Sequence, residues 1–437
     1  MNQSLRGPVC FGLMALMLVI VGFSQSWSLA LSIVNLCLIS SIMALGLNMQ
    51  WGYAGLFNVG VMGFAALGGV AAVLVSAPPV TEAWAVAGWD MVLTLVVLIA
   101  AIAAVVFARR KLPPGGLRMV VTAVLLLVGY GIVRIFFDPA TDLIEDVDPA
   151  KTGYLGGLDL PILLSWPVGG LIAAGGAWLI AKVALGLRAD YLAIATLGIS
   201  EIVLAVLKNE DWLTRGVKNV SGLDRPVPYE VDLQASEDFA EWATGFGMET
   251  LQASSIFVKL CYAGLFLAVL VVIMLLAQKA LHSPWGRMMR AIRDNEIAAE
   301  AMGKDVTRRH LEIFVIGCAV IGIAGAMLAT IDGQFTPGSY QPLRFTFLIW
   351  VMVIVGGSGN NWGSILGGFF VWFVWIEAEP VGLWAMDVLT SVLGDESALR
   401  DHLLAGAAYM RVCVMGIILL LVLRFSPRGL IPDTVRR

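Results

Sequence analysis

Apolar residues along this chain fall into long, nearly unbroken runs, each close to the roughly 20 residues that a helix needs to cross a bilayer. Runs at 8–23, 28–47, 54–76, 91–107, 119–137, 168–187, 190–208, 255–280, 311–331 and 405–424 predict ten spanning helices. The stretch 345–377 is equally apolar but is broken by Gly356-Gly357-Ser358-Gly359-Asn360-Asn361-Trp362-Gly363. Gly and Asn supply the positive φ of a tight reversal, so this stretch predicts two short passes joined by that turn. The total is twelve passes: an all-α, polytopic transmembrane bundle. The alternative for the first run is a cleaved signal peptide with Arg6 as its charged region. No Ala-x-Ala site follows it and the next run starts at once, which favours a retained helix.

Charge tests that count. Lys and Arg concentrate on the cytoplasmic side of membrane proteins. Twelve passes with the N-terminus inside place 108–118 in the cytoplasm, with Arg109, Arg110, Lys111 and Arg118. They also place 281–310 there, and a tail with Arg428, Arg436 and Arg437. The opposite loops are acidic: 138–167 and 378–404 carry mostly Asp and Glu, among them Asp395 and Glu396, and 209–254 carries nine acids against Arg215, Lys218 and Arg225. Miscounting one span would scramble this alternation. Composition agrees, with 59% hydrophobic and only 14% charged residues, against about 25% charged in soluble domains. A net charge of −4 argues against a nucleic-acid partner. Cys10, Cys37, Cys261, Cys318 and Cys413 all sit in apolar runs without metal spacing or a paired framework, and no metal site is expected.

Charged groups inside the spans are few. Arg134 stands four residues before Asp138, an i,i+4 pair at a helix end. Lys259 and Arg411 lie near the ends of their spans, where long side chains snorkel to water. Glu201 is more central and is therefore a functional candidate.

Three stretches break the apolar monotony. In Gly46-Leu47-Asn48-Met49-Gln50-Trp51-Gly52-Tyr53-Ala54-Gly55-Leu56-Phe57-Asn58-Val59-Gly60, five glycines interrupt a run otherwise able to span, and three amides sit at membrane depth. Such amides need internal partners. The stretch is either a tight turn tied to neighbouring helices or an interrupted helix beside a solute path. Asn48, Gln50, Gly52, Tyr53, Gly55 and Asn58 are its candidates for the path. In Leu187–Glu201, Asp190 is placed to N-cap the next helix, and Thr196 and Glu201 join the path candidates. In Ser283–Gly303, Asp294 is placed to cap a short helix over 295–302, with Gly303 at its C′ position. Met288, Ile292, Ala299 and Met302 fall on one face, and an apolar stripe in a loop needs a surface to cover it.

Together these stretches resemble the permease subunits of ABC importers for branched-chain amino acids. The resemblance covers roughly 28–76 and 166–432. It is carried by Gly-Leu-Asn-x-Gln-x-Gly-Tyr-x-Gly, by Arg-x-Asp-Tyr-Leu-Ala-Ile-x-Thr-Leu-Gly and by Gly-Arg-x-x-Arg-Ala-Ile-Arg-x-x-Glu-Ile-Ala-Ala-Glu-x-x-Gly. Ser221-Gly222 and Arg424-Phe425-Ser426-Pro427-Arg428-Gly429-Leu430 follow the same order, with Arg428 where the family usually has Gln. The resemblance implies a second permease subunit, two ATP-binding cassette ATPase subunits and a periplasmic solute-binding protein. It implies a place in the bacterial inner membrane with both termini cytoplasmic. It makes 281–310 the loop that docks the ATPases, through Arg287, Met288, Arg290, Ile292, Arg293, Glu296, Ala298, Ala299, Glu300 and Gly303; Ile297 stands where the wider importer pattern has Glu. The segment 77–165 looks like a two-helix insertion with an acidic periplasmic loop, added to a ten-pass core.

The expected function is thus a non-catalytic subunit that forms a translocation path, with no cofactor of its own. ATP would be used by partners, since the chain lacks a Gly-x-x-x-x-Gly-Lys-Ser/Thr phosphate loop. Permeases for urea and short-chain amides look much alike. An ion-coupled secondary transporter would need a midplane carboxylate, for which Glu201 is the candidate.

Overall fold

The computed structural model describes residues 3–148, 152–391 and 398–432. Arg436, Arg437, Asp395 and Glu396 of the charge pattern lie outside the described residues. Twelve apolar helices account for the predicted passes: α1 (Gln3–Ser24), α2 (Trp27–Asn48), α3 (Val61–Ser76), α4 (Thr81–Lys111), α5 (Gly116–Asp146), α6 (Ser165–Ala184), α7 (Ala189–Asn209), α8 (Thr250–His282), α9 (Val306–Asp332), α10 (Pro342–Gly356), α11 (Asn361–Thr390) and α12 (Met410–Phe425). Among the described residues ten segments are long and apolar enough to span, while α3 and α10 are shorter. The one sheet among the described residues pairs β1 (Val220–Ser221) with β2 (Gln334–Phe335), antiparallel, Val220 opposite Phe335.

Contacts across the chain sort the helix ends into two groups. At one end, Arg6 donates to Ser426 Oγ at 3.5 Å, and Arg293 donates to the Gly52 carbonyl. There too, the Leu430 and Ile431 N–H groups donate to the carbonyls of Val355 and Gly356 at 2.8 and 2.9 Å. At the other end, Gln25 Nε2 donates to Glu377 Oε2 at 2.8 Å, Lys259 Nζ donates to Ser28 Oγ at 2.6 Å, and Arg411 pairs with Glu379. The basic loops gather at the first end and the acidic segments at the second, as the alternation of charge requires. Arg411 is therefore an ion-pair partner and not a snorkelling chain. Arg134 and Asp138 make the expected i,i+4 pair at 2.9 Å.

Several helices outrun the sequence expectation at the acidic end. The loop expected from 378 is helical up to Thr390, because Glu377 and Glu379 find partners in the α1–α2 turn and on α12 and need not leave the bundle. Likewise α5 continues to Asp146.

Helices α2 and α9 form the centre, with 72% of their most apolar windows buried, against 6% in α4 and α5. Close approach at the centre rests on small residues, as is usual where lipid leaves packing alone to join helices. Backbone of α3, α9 and α6 meets at Gly68, Gly322 and Gly169, where added Cβ atoms would overlap the facing carbonyls.

The pair α4–α5 is a long hairpin, about 46 Å by helical rise, and it joins the bundle through a small cluster at its acidic end. That cluster comprises Ala83, Ala87, Ala140 and Ile144 with Leu155 and Trp212 against them; Trp84 Nε1 donates to the Leu155 carbonyl at 3.0 Å. At the basic end Gly115 stands in open space. A Gly115→Cys variant in intact cells is expected to resist a membrane-impermeant maleimide and to react after permeabilisation. Reaction from outside would refute the twelve-pass path.

Candidate functional site

The interrupted segment is built on a change of helical winding. Helix α2 passes into a π-helical turn, Met49–Tyr53, and the chain then runs irregularly to Gly60, where α3 begins. Gly55 takes the left-handed conformation, φ +71°, which a Cβ would disfavour. Non-helical backbone at membrane depth persists only where its polar groups are satisfied by protein, and several are satisfied so here. The N–H of Leu56 donates to the Gln50 carbonyl at 3.0 Å. The N–H of Val59 donates to Thr196 Oγ1 at 3.0 Å and that of Gly60 to Asn58 Oδ1 at 2.8 Å. Trp350 Nε1 donates to the Asn58 carbonyl at 3.0 Å.

The side chains close the same network. Gln50 Nε2 donates to the Phe314 carbonyl at 2.9 Å and to Cys318 Sγ at 3.1 Å, while its Oε1 accepts from Asn58 Nδ2 at 2.9 Å. Asn48 Oδ1 accepts from the Gly359 N–H at 2.8 Å, and its Nδ2 donates to Asn361 Oδ1 at 3.1 Å; the Tyr53 hydroxyl donates to the same oxygen. Asn48, Gln50, Tyr53 and Asn58 are fully buried. A Cβ on Gly52 would collide with Asn48 Oδ1 and with the backbone N of Gly359, 2.5 Å away.

The structure thus brings together Asn48, Gln50, Gly52, Tyr53, Gly55, Asn58 and Thr196 as a hydrogen-bonded knot between α2, α7, α9, α10 and the turn before α11. The amides of Asn48, Gln50 and Asn58 use both ends within the knot and so tie the neighbouring helices together, whereas the buried Nδ2 of Asn361 has no acceptor. Glu201 is not part of it. Thr196 and Ser200 form the buried face of α7, and Glu201 is exposed on another face. Asn361, Trp350 and Cys318 belong to the knot without having been singled out beforehand; Asn361 stood in the predicted reversal, but nothing in the local pattern pairs it with Asn48.

Asp190 does not N-cap α7. The helix starts two residues earlier, with Arg188 at the cap position and Asp190 in the first turn, where its charge suits the positive helix end.

The basic loop is two helices, Pro284–Asp294 and Glu296–Ala301. Ser283 caps the first, accepting from the Gly286 N–H at 3.3 Å. Asp294 ends that helix and does not cap the second; Asn295 does, with Oδ1 accepting from the Ala298 N–H at 3.0 Å. Gly303 takes φ +76° past the second helix, as its C′ position requires. The break at Asn295 splits the expected stripe. Met289, Ile292 and Ala299 are buried, Met288 is half-buried, and Met302 is 80% exposed beside Ile297 at 81%. Arg287 and Arg290 donate to the carbonyls of His282 and Leu281 at 3.2 and 3.4 Å. Glu296, Ala298 and Glu300 are exposed. Arg293 joins this loop to the knot: it donates to the Gly52 carbonyl and pairs with Asp294 at 3.2 Å. Among the described residues no group of three or more His, Cys, Asp or Glu could hold a metal ion.

The family model for the permease component of branched-chain amino acid transport systems matches residues 29–154 and 147–423. The chain belongs to this family. The first matched stretch contains the interrupted segment 46–60 and the α4–α5 hairpin, and the second contains the rest of the knot, the basic loop and most of α12. The permease is 32% identical over 203 residues to the high-affinity branched-chain amino acid transport system permease protein LivM of Salmonella typhimurium, covering 46% of this chain and 47% of that one. It is 31% identical over 208 residues to LivM of Escherichia coli, 47% and 48% of the two chains. A probable branched-chain amino acid transport permease protein LivM of Methanocaldococcus jannaschii is 26% identical over 251 residues, 56% and 61%. The matched part of the permease spans about half the length of the curated bacterial relatives. No solved structure matches it.

The knot predicts a stability effect. Asn58→Leu removes the donor to Gln50 Oε1 and the acceptor for the Gly60 N–H, and each buried group left unpaired costs about 1–3 kcal/mol. The thermal midpoint of the purified permease in detergent is expected to fall by several degrees. An unchanged midpoint would show that the knot holds nothing together.

Proposed function

We propose that this permease is the membrane-spanning, non-catalytic subunit of an ATP-driven importer of branched-chain amino acids. It works with a second permease subunit, two ATP-binding cassette ATPases and a periplasmic solute-binding protein. The basic end faces the cytoplasm of a bacterial inner membrane, following the side preference of Lys and Arg.

The observation that carries this reading is the family match across both halves of the chain. The basic loop supports it. Two large apolar side chains, Ile297 and Met302, stand exposed at the end that the charge pattern assigns to the cytoplasm, where an ATPase would cover them. Arg293 then ties that surface to the π-helical turn that follows α2, so a push on the loop reaches the knot through one hydrogen bond and the short helix that bears it.

Leucine uptake into proteoliposomes holding the permease with its ATPases and second permease tests the reading. Uptake is expected to require both internal ATP and external binding protein. Leucine movement through the pure permease without ATPases would instead indicate an ion-coupled carrier, and urea uptake without leucine uptake would move the substrate to the amide class.

A further inference from the structure

A cavity of about 230 Å³ lies among α2, α3, α9, α10 and α11, apart from the knot. It is small beside the roughly 300–1,000 Å³ of drug-sized ligand sites, which suits a solute of amino-acid size. Its walls are aliphatic: Ile39, Leu348, Ile349 and Met352 are all buried and all contribute. Its polar groups are few. Asp332, the last residue of α9, and Ser339 in the link to α10 are exposed at the acidic end. Ser40 and Trp372 lie further along the wall.

Two of these groups lack partners. Asp332 makes no hydrogen bond or ion pair among the described residues, although other charges at this end of the bundle, Glu379 and Arg411 among them, are paired. The indole N–H of Trp372 is buried without an acceptor. A buried donor left unmade costs about 1–3 kcal/mol, and the Asp332 carboxylate, exposed where the cavity opens, is open to a cationic partner. Met62, which contributes to the other part of the lining, stands two residues after Gly60 and donates its N–H to Thr346 Oγ1 at 3.4 Å. The cavity therefore extends from Asp332 at the acidic end to the start of α3, where the interrupted segment ends.

We infer that this cavity is a solute site within the single chain, taking a small molecule with an aliphatic body and a cationic amine held by Asp332. The aliphatic wall receives the body, and the Trp372 indole and the Ser40 and Ser339 hydroxyls offer donors for a carboxylate where the solute has one. A lipid tail fits the walls but offers nothing to Asp332. The inference rests on the proposed import of branched-chain amino acids for its choice of solute, and its test is separable from that proposal.

The full-length permease in lipid nanodiscs would be unfolded thermally with leucine, isoamylamine or 4-methylpentanoate, which share an aliphatic body and carry zwitterionic, cationic and anionic ends. Leucine and isoamylamine are expected to raise the midpoint by mass action, and 4-methylpentanoate to leave it unchanged. Asp332→Asn is expected to abolish the isoamylamine shift, and Leu348→Trp, which fills the cavity, to abolish both shifts. An equal response to the anion, an undiminished isoamylamine shift in Asp332→Asn, or no shift with any compound would overturn the inference. If Leu348→Trp fails to fold, Asp332→Asn still decides, since its side chain is exposed and isosteric. An Asp332-dependent shift in a permease whose complete transporter takes up no leucine would leave the cavity standing and remove the proposed function.

Discussion

Gly52→Leu is expected to bring leucine uptake by the complete transporter down to background. The substitution acts at the crowded centre of the knot. Gly52 lies in the π-helical turn, where a Cβ would overlap Asn48 Oδ1 and press on the Gly359 backbone. Asn48 Oδ1 would have to leave the Gly359 N–H, which is buried and has no other acceptor within the knot. The displaced turn would also move the Gly52 carbonyl away from Arg293. Overpacking a tight interior costs about 1–3 kcal/mol, and a stranded donor adds about 1–3 more. Their sum corresponds to a shift of at least about thirtyfold between competent and incompetent packing. Gly52→Ala carries the same Cβ without the longer chain, so it is expected to fall between wild type and Leu. Uptake measured with surface quantity of permease checks this; wild-type uptake in Gly52→Leu would mean the knot tolerates a side chain that its geometry excludes.

The passes were legible because each is a long apolar run, and among the described residues ten of them are long and apolar enough to span, with α3 and α10 shorter. The interruption at 46–60 was legible because glycines and amides stand out in such a run. The partners of those amides were not legible. Asn48 meets Asn361 across more than three hundred residues, and Gln50 meets the Phe314 carbonyl, a group every residue possesses. Arg293 looked like one of several surface cations in a basic loop, and only the fold places it under the Gly52 carbonyl. Glu201 attracted notice as a carboxylate within a span, yet helical phase at α7 turned it to a different face from Thr196 and Ser200. Acidic residues towards the end of α11 suggest a loop because the groups that pair with them lie far away in the chain, Gln25 in the turn between α1 and α2 and Arg411 on α12.

Ile297→Asp combined with Met302→Asp is expected to abolish co-purification of the ATPase subunits while the permease still inserts. Neither side chain supports the permease itself, since both are about four-fifths exposed. Burying a side chain of this size at an interface is worth about 1.5–3 kcal/mol. Losing two of them, with two carboxylates to desolvate instead, weakens association by at least about a hundredfold. Gly303→Val reaches the same end by another route: its Cβ meets nothing, but φ +76° is a conformation that a β-branched residue rarely takes, so Glu296–Ala301 would end differently and Met302 would shift. Ala299→Asp differs again, because Ala299 is buried and a charge there would loosen the helix from the bundle. The decisive comparison is the double Asp variant against Lys304→Gln, which changes an exposed polar residue just past the same helix and outside the docking candidates, and is expected to keep the ATPases bound. Retained ATPase association in the double variant would place the docking surface elsewhere, on the half-buried side of Pro284–Asp294 around Met288.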